Sequence, residues 1–257
     1  MITRASNTAL LLAVLGAGAP LTAQSPEADG LRIMREVEAR GRGFGDMDAT
    51  LRMTVYRGGE PRVRVLDLRL LEAPDADRTL MVLREPADLA GTAFLSIGSP
   101  EGERSQWIYL PSRRRVRRIS GSQSSDPFLG SDFTYGDMDT PRLAGYRFRV
   151  VREEVWEGGR GVVVERRRDG SDDGSRELLW VDTGEYRVHR VEYLGAGGEP
   201  VRTLLVGEYR VVDGFPRPTR LEMRQAEGDS RTVLEWSDLR IGVGLSEQDF
   251  DPRRLGG

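Results

Sequence analysis

From Asp46 onward, apolar and polar residues alternate along most of the chain. In "ATLRMTVYR" (49–57), Leu51, Met53 and Val55 fall on one face and Arg52, Thr54 and Tyr56 on the other. That is the period-two signature of a half-buried strand. "GGE" (58–60) turns the chain into a second run, "PRVRVLDLRLL" (61–71). Further strands are predicted over 78–85, 92–97, 104–110, 112–119, 145–156, 160–168, 176–182, 186–194, 200–211, 217–225 and 231–240. Their connections carry turn chemistry, among them "GSPEGE", "DTGE", "LGAGGEP" and "VDGFP". The pattern is that of an antiparallel meander without a second helical layer.

One segment has helical spacing. Ser25 can cap it, Pro26 suits the first turn, and Leu31, Met34 and Val37 recur along "PEADGLRIMREVEAR" (26–40). The glycines of "GRGFG" (41–45) follow a helix and precede a strand. That is the reverse of a dinucleotide-binding loop, so they end the helix. Upstream, Arg4, an apolar stretch from Ala9 to Val14 and "LTA" ending at Ala23 read as an exported leader over 1–23. The remainder, 24–257, reads as one domain. So many sequential strands must curl to limit their exposed edges, and a curled antiparallel sheet of this size commonly encloses an apolar cavity. The expected fold is therefore mainly β, a closed or nearly closed antiparallel barrel with the N-terminal helix across its mouth.

Composition removes most chemistry. There is no cysteine, which excludes disulfides, thiolate metal sites and N-terminal lipidation, and only one histidine, His189. His189 lies in the strand-like "EYRVHRVEY" without a partner motif and reads as a sheet-face residue. The acids of "GSDDGS" (170–175) and "DMD" (137–139) lack calcium-loop spacing and read as solvated turns. No metal, cofactor or catalytic constellation is expected, and the chain reads as a non-enzyme. All 38 basic residues are arginine, yet the formal net charge is −3, so a nucleic-acid partner is not expected.

Residues 107–139 break the meander. In "WIYLPSRRRVRRISG" (107–121), five arginines occupy six positions from Arg113 to Arg118. If all are in a strand, Arg113, Arg115 and Arg117 point one way and Arg114 and Arg118 the other. Either they are solvated and pair with acids such as Asp126, Asp132 or Glu153, or Arg114 or Arg118 stands at a cavity rim. From the rim it could hold a phosphate or a partner's carboxylates. The following stretch is loop-like, but Phe128, Leu129, Phe133, Tyr135 and Met138 seek burial.

The motifs "GTAFLSI" (91–97), "WIYLPSRRRVRRISG" (107–121), "GSDFTYGDM" (130–138), "VDGFPRP" (212–218) and "LSEQDFDPRRL" (245–255) resemble the LolA/LolB-like superfamily of outer-membrane lipoprotein-sorting proteins. The likeness is to a branch of periplasmic carriers found beside RND-type exporters. It implies an incomplete barrel with a short lid segment over an apolar cavity that receives acyl chains of a lipoprotein or free lipid. It further implies a periplasmic, monomeric carrier partnered by an inner-membrane exporter or releasing complex. The best-known lipoprotein carriers are shorter and have more lid helices. Candidate cavity residues are Leu51, Met53, Val55, Phe94, Trp107, Tyr109, Phe128, Phe133 and Tyr135. Candidate headgroup or partner contacts are Arg114, Arg118 and Asp132. The same superfamily fold occurs in an envelope-stress regulator that binds a membrane partner. That alternative carries an additional C-terminal domain, whereas this chain ends just after its last strand.

Overall fold

A computed structural model describes residues 25–140, 142–156, 159–170 and 173–256. The leader expected over 1–23 lies outside the described residues. Helix α1 (Pro26–Gly41) is followed by strands β1 (Asp46–Tyr56), β2 (Arg62–Glu72), β3 (Asp77–Glu85), β4 (Ala93–Gly98), β5 (Arg104–Leu110) and β6 (Arg115–Ile119). After an irregular segment come β7 (Tyr146–Trp156), β8 (Gly159–Arg168), β9 (Arg176–Asp182), β10 (Arg187–Leu194), β11 (Pro200–Val212), β12 (Phe215–Gln225) and β13 (Arg231–Ile241). No helix among the described residues is long and apolar enough to cross a membrane.

All the strands form one 13-stranded antiparallel sheet in the order β6-β5-β4-β3-β2-β1-β13-β12-β11-β10-β9-β8-β7. Two meanders are thus joined where β1 pairs with β13, Leu51 opposite Trp236 and Met53 opposite Leu234. β6 and β7 remain as edges, so the sheet does not close into a barrel. Residues 120–140 follow β6, and it is this segment that covers part of the sheet's inner face.

The alternation sorts side chains as period two requires. On the inner face, Leu51, Met53, Val55, Leu66, Leu68, Leu83, Phe94, Ile108, Met223 and Leu234 form the largest apolar cluster. A second inner cluster surrounds Phe148, Val164, Leu179, Val181 and Val191. Ile33 and Met34 of α1 cover it, so the helix lies against β7 to β10 instead of spanning an open mouth. Tyr193 and Leu204 touch both clusters and mark the seam.

Local chemistry fixes the helix. Ser25 Oγ accepts from Ala28 N at 3.2 Å, and Arg217 Nη1 donates to the Gly41 carbonyl at 2.8 Å. Both ends thereby answer backbone groups that lack helical partners. Gly30 is required by proximity, since a Cβ there would lie 2.7 Å from the backbone nitrogen of Arg149.

The outer face of β3 to β5 carries a third cluster, Leu80, Ala93 and Leu95, sealed by Phe250 and Leu255 from the C-terminal turns. Those residues belong to "LSEQDFDPRRL", whose turns Glu247–Phe250 and Pro252–Arg254 clamp the sheet from outside.

Candidate functional site: an aromatic lid on the inner face

The segment between β6 and β7 is built to be buried. Phe128 and Phe133 are fully buried, and Tyr135 and Met138 nearly so. Phe128 N donates to Phe133 O at 2.7 Å, and Leu129 and Gly130 take left-handed conformations (φ 48° and 69°) to turn the hairpin between them. Phe94 of β4, Phe128 and Tyr135 pack with ring centroids 5.3, 5.6 and 5.8 Å apart, mostly edge to face. Burial pushes the Tyr135 hydroxyl pKa upward. The lid's own aromatics therefore occupy the apolar surface that the sheet presents.

Polar ties hold the lid down. Asp132 Oδ1 accepts from Arg57 Nη2 at 2.9 Å and from Ser230 Oγ at 2.6 Å, while Oδ2 accepts from Thr232 Oγ1 at 2.6 Å. Burial alone would raise its pKa, but those three donors outweigh it and hold the carboxyl below the usual carboxylate range. Asp137 receives both arms of Arg202, with Nη2 to Oδ1 at 3.0 Å, and caps its own turn through Thr134 N at 2.7 Å. Asp139 accepts from Arg104 Nη1 and Gln106 Nε2, each at 2.8 Å, and from Ser96 Oγ. The "DMD" acids are thus inward ties, not solvated turns. Their short spacing signals a turn, whereas their partners lie far off in the chain.

At the seam, a polar group interrupts the apolar face. Arg202 stacks over the Tyr193 ring with 3.9 Å to its centroid. Arg166 pairs with Glu177 and lies over Tyr146 at 5.0 Å. Burial drives the Tyr193 hydroxyl pKa well above its ordinary value, so this tyrosine stays neutral.

The candidate residues divide by face. Leu51, Met53, Val55 and Phe94 share the inner cluster with Phe128, Phe133 and Tyr135. Trp107 and Tyr109 do not. They face outward and pack with Phe250 and Leu255, because β5 pairs Leu95 with Trp107 and Phe94 with Ile108. Ile108 is therefore the inner residue of that strand. Arg114 lies outside β6, in a left-handed conformation (φ 47°) that closes the turn after Pro111. Within β6, Arg117 stands opposite Ile108 on the inner side and Arg118 takes the other face. Arg118 pairs with Trp107 in the register and donates to Ser105 Oγ at 2.9 Å on the outer face, so it does not stand at the inner rim. Asp132 is buried inside the lid's anchorage and unavailable to a headgroup. None of the five run arginines forms an ion pair among the described residues.

Sequence reasoning missed Arg202, Arg57, Thr232, Ser96 and Gln106. Arg57 lies in the turn just after β1 and the others are ordinary strand residues, and only the register reveals that they converge on the lid. His189 packs between Trp156, tilted to it, and Tyr209, edge to face, with centroids at 6.0 and 6.1 Å. Among the described residues, no group of three or more His, Cys, Asp or Glu side chains could hold a metal ion.

Comparison with known proteins agrees with this architecture. A family model described as "Uncharacterized protein" matches residues 75–256. A proposed outer membrane lipoprotein-sorting protein domain from Vibrio parahaemolyticus is 34% identical and superposes with a TM-score of 0.84, covering 89% of this chain and 99% of that one. A DUF1329 family protein from Desulfovibrio piger is 26% identical, with a TM-score of 0.84 and coverage of 90% and 100%. The LolA superfamily protein NE2245 from Nitrosomonas europaea, 20% identical, shares the fold with a TM-score of 0.68 and coverage of 89% and 98%. No curated protein matches. At 34% identity over 89% of its length, the chain belongs to the family of outer membrane lipoprotein-sorting protein domains, and it shares the fold of the LolA superfamily protein.

Proposed function

We propose that the protein is a periplasmic, non-enzymatic carrier whose inner face holds the acyl chains of a lipid or lipoprotein on the way to the outer membrane. The observation carrying this reading is the lid. The apolar inner face is covered by an irregular segment whose Phe128, Phe133, Tyr135 and Met138 occupy it as a ligand would. Burying such side chains is worth ~1.5–3 kcal/mol each, on the order of 6–12 kcal/mol together. An acyl chain of about 15 methylenes gains ~12 kcal/mol at ~0.8 kcal/mol per CH₂. Exchange of lid aromatics for an acyl chain is therefore close to balanced. The bilayer buries the same chain equally well, so loading and unloading would be driven by partners. An inner-membrane exporter or releasing complex fits that role, with the carrier acting as a monomer.

A fluorescent fatty-acid analogue tests the reading. Folded, delipidated protein is expected to bind it saturably and to release it to extracted envelope lipid. Phe128→Ala shortens the lid's plug and is expected to bind the probe more tightly while melting at a lower temperature. No saturable binding by either protein would overturn the carrier.

A further inference from the structure

Arg64 differs from the other half-buried arginines of the inner face. In the register it stands opposite Met53, whose side chain is fully buried, so it shares the face of Leu66 and Leu68. Arg202 is answered by Asp137 and Arg166 by Glu177. Arg217 leaves Nε and Nη2 unpartnered but gives Nη1 to the Gly41 carbonyl and lies over the Phe44 ring. Arg64 has no hydrogen bond at all among the described residues. Nε and Nη1 of Arg64 are buried without a hydrogen-bond partner, and no ion pair includes it among the described residues. Its remaining nitrogen, Nη2, lies 3.9 Å from where a side chain on Gly130 would begin. The guanidinium therefore sits under the lid's tip, where Leu129 and Gly130 make their left-handed turn.

The surroundings leave the charge unanswered. Burial and the neighbouring Arg62 lower the Arg64 pKa, and Asp88 offsets them only in part. Holding a guanidinium out of water with unused donors works against folding. Its planar fork matches paired oxygens of a tetrahedral anion, and Arg62 adds a second positive charge on the same strand face.

We propose that Arg64 is the binding site for a phosphate-bearing headgroup, taken up when the lid tip lifts away from Gly130. The acyl chain would then run along Met53 and Leu51, so the lipid part of this inference rests on the carrier reading above. The arginine run between Arg113 and Arg118 is not needed.

The test compares lysophosphatidic acid with the monoacylglycerol of the same chain, by titration into delipidated full chain. Wild type is expected to prefer the phosphate lipid by about tenfold or more, the worth of one charge-assisted hydrogen bond. Arg64→Gln should abolish that preference while binding the neutral lipid unchanged, and Arg64→Lys should fall between. Arg118→Ala, on the outer face, should keep it. Arg64→Gln should also melt no lower than wild type, because it removes an unanswered buried charge. Equal binding of both lipids by wild type, a preference surviving in Arg64→Gln, or a marked fall in its melting temperature would each overturn the site and leave the carrier standing. If neither lipid binds, the carrier reading fails and inorganic phosphate decides alone. Arg64-dependent heat on phosphate titration would retain the anion site, and none would overturn it.

Discussion

Thr232 Oγ1 lies 2.6 Å from Asp132 Oδ2 and also accepts from the Asp132 backbone nitrogen at 2.9 Å. A single fully buried hydroxyl on β13 thus grips both ends of one lid residue 100 positions away in the chain. With Ser230 and Arg57 completing the carboxylate, the tip of the lid is anchored at the junction of the two meanders.

The first prediction follows from that carboxylate. Its folded-state pKa lies below the unfolded value of about 4. It therefore contributes stability that is present above pH ~4 and is lost as pH falls through the folded-state value. Asp132→Asn is expected to lower stability by about 1–3 kcal/mol at neutral pH. The gap to wild type should narrow on acidification below pH ~4, read as melting temperature against pH. A gap constant from pH 7 to pH 3 would mean that the ionised carboxylate contributes nothing.

The second concerns the seam. Asp137 and Arg202 are joined by both arms of the guanidinium, and Arg202 is held flat by Tyr193. Arg202→Met keeps the length and apolar stem while releasing Asp137 from the sheet. Uptake of a fluorescent acyl probe should accelerate several-fold, since one latch on the lid is gone. In a double-mutant cycle with Asp137→Asn, the coupling should be about 1–3 kcal/mol of lid stability. Additive effects would show that the pair does not act as a latch.

Much of this molecule is readable from its sequence because period-two alternation survives in nearly every strand. "ATLRMTVYR" places Leu51, Met53 and Val55 inward, and the structure gathers them in one cluster. The reading of β5 and β6 goes astray for a local reason. In "WIYLPSRRRVRRISG" every residue beside the turn is large, so alternation alone cannot say which half of "WIYL" faces inward. That choice depends on Phe94 pairing with Ile108 and on Phe250 and Leu255 covering the outer face. Arg114 itself drops out of the strand into a left-handed turn, and the arginines after it alternate with Arg117 opposite Ile108 and Arg118 opposite Trp107. The lid's ties were illegible for another reason. Asp137 and Asp139 look like any acidic turn until register brings Arg202, Arg104 and Gln106 beneath them. Long-range polar convergence leaves no periodic trace.

The third prediction uses the closeness of α1 to β7. A Cβ on Gly30 would lie 2.7 Å from Arg149 N and 2.9 Å from its Cα, atoms that cannot swing aside. Gly30→Ala raises intrinsic helix propensity by about 1 kcal/mol, yet the overpacking should cost more, about 1–3 kcal/mol net. Denaturant midpoints should fall accordingly. Gly41→Ala, at the helix end, has its nearest atom 4.0 Å away on the Arg217 side chain and should be far milder. A stabilised Gly30→Ala would show that the helix does not rest on the strand backbone.

The last prediction separates the two faces of the sheet. Trp236 stands opposite Leu51 and packs on the inner apolar cluster, whereas Trp107 packs outward with Phe250 and Leu255. Both are tryptophans on strands of one sheet, so they report on opposite sides of a single layer. If acyl chains enter the inner face, a fatty acid brominated along its chain should quench Trp236 strongly. Trp107, shielded by the sheet and the C-terminal turns, should be quenched little. Variants retaining one or the other, with the remaining tryptophans changed to phenylalanine, make the comparison direct. Each variant must first bind the unbrominated fatty acid, so that a silent probe is not mistaken for a distant one. Strong quenching of Trp107 with Trp236 unaffected would place the chain on the outer face, under Phe250 and Leu255. In that case the lid would be a fixed part of the core, and "LSEQDFDPRRL" would be the segment that moves.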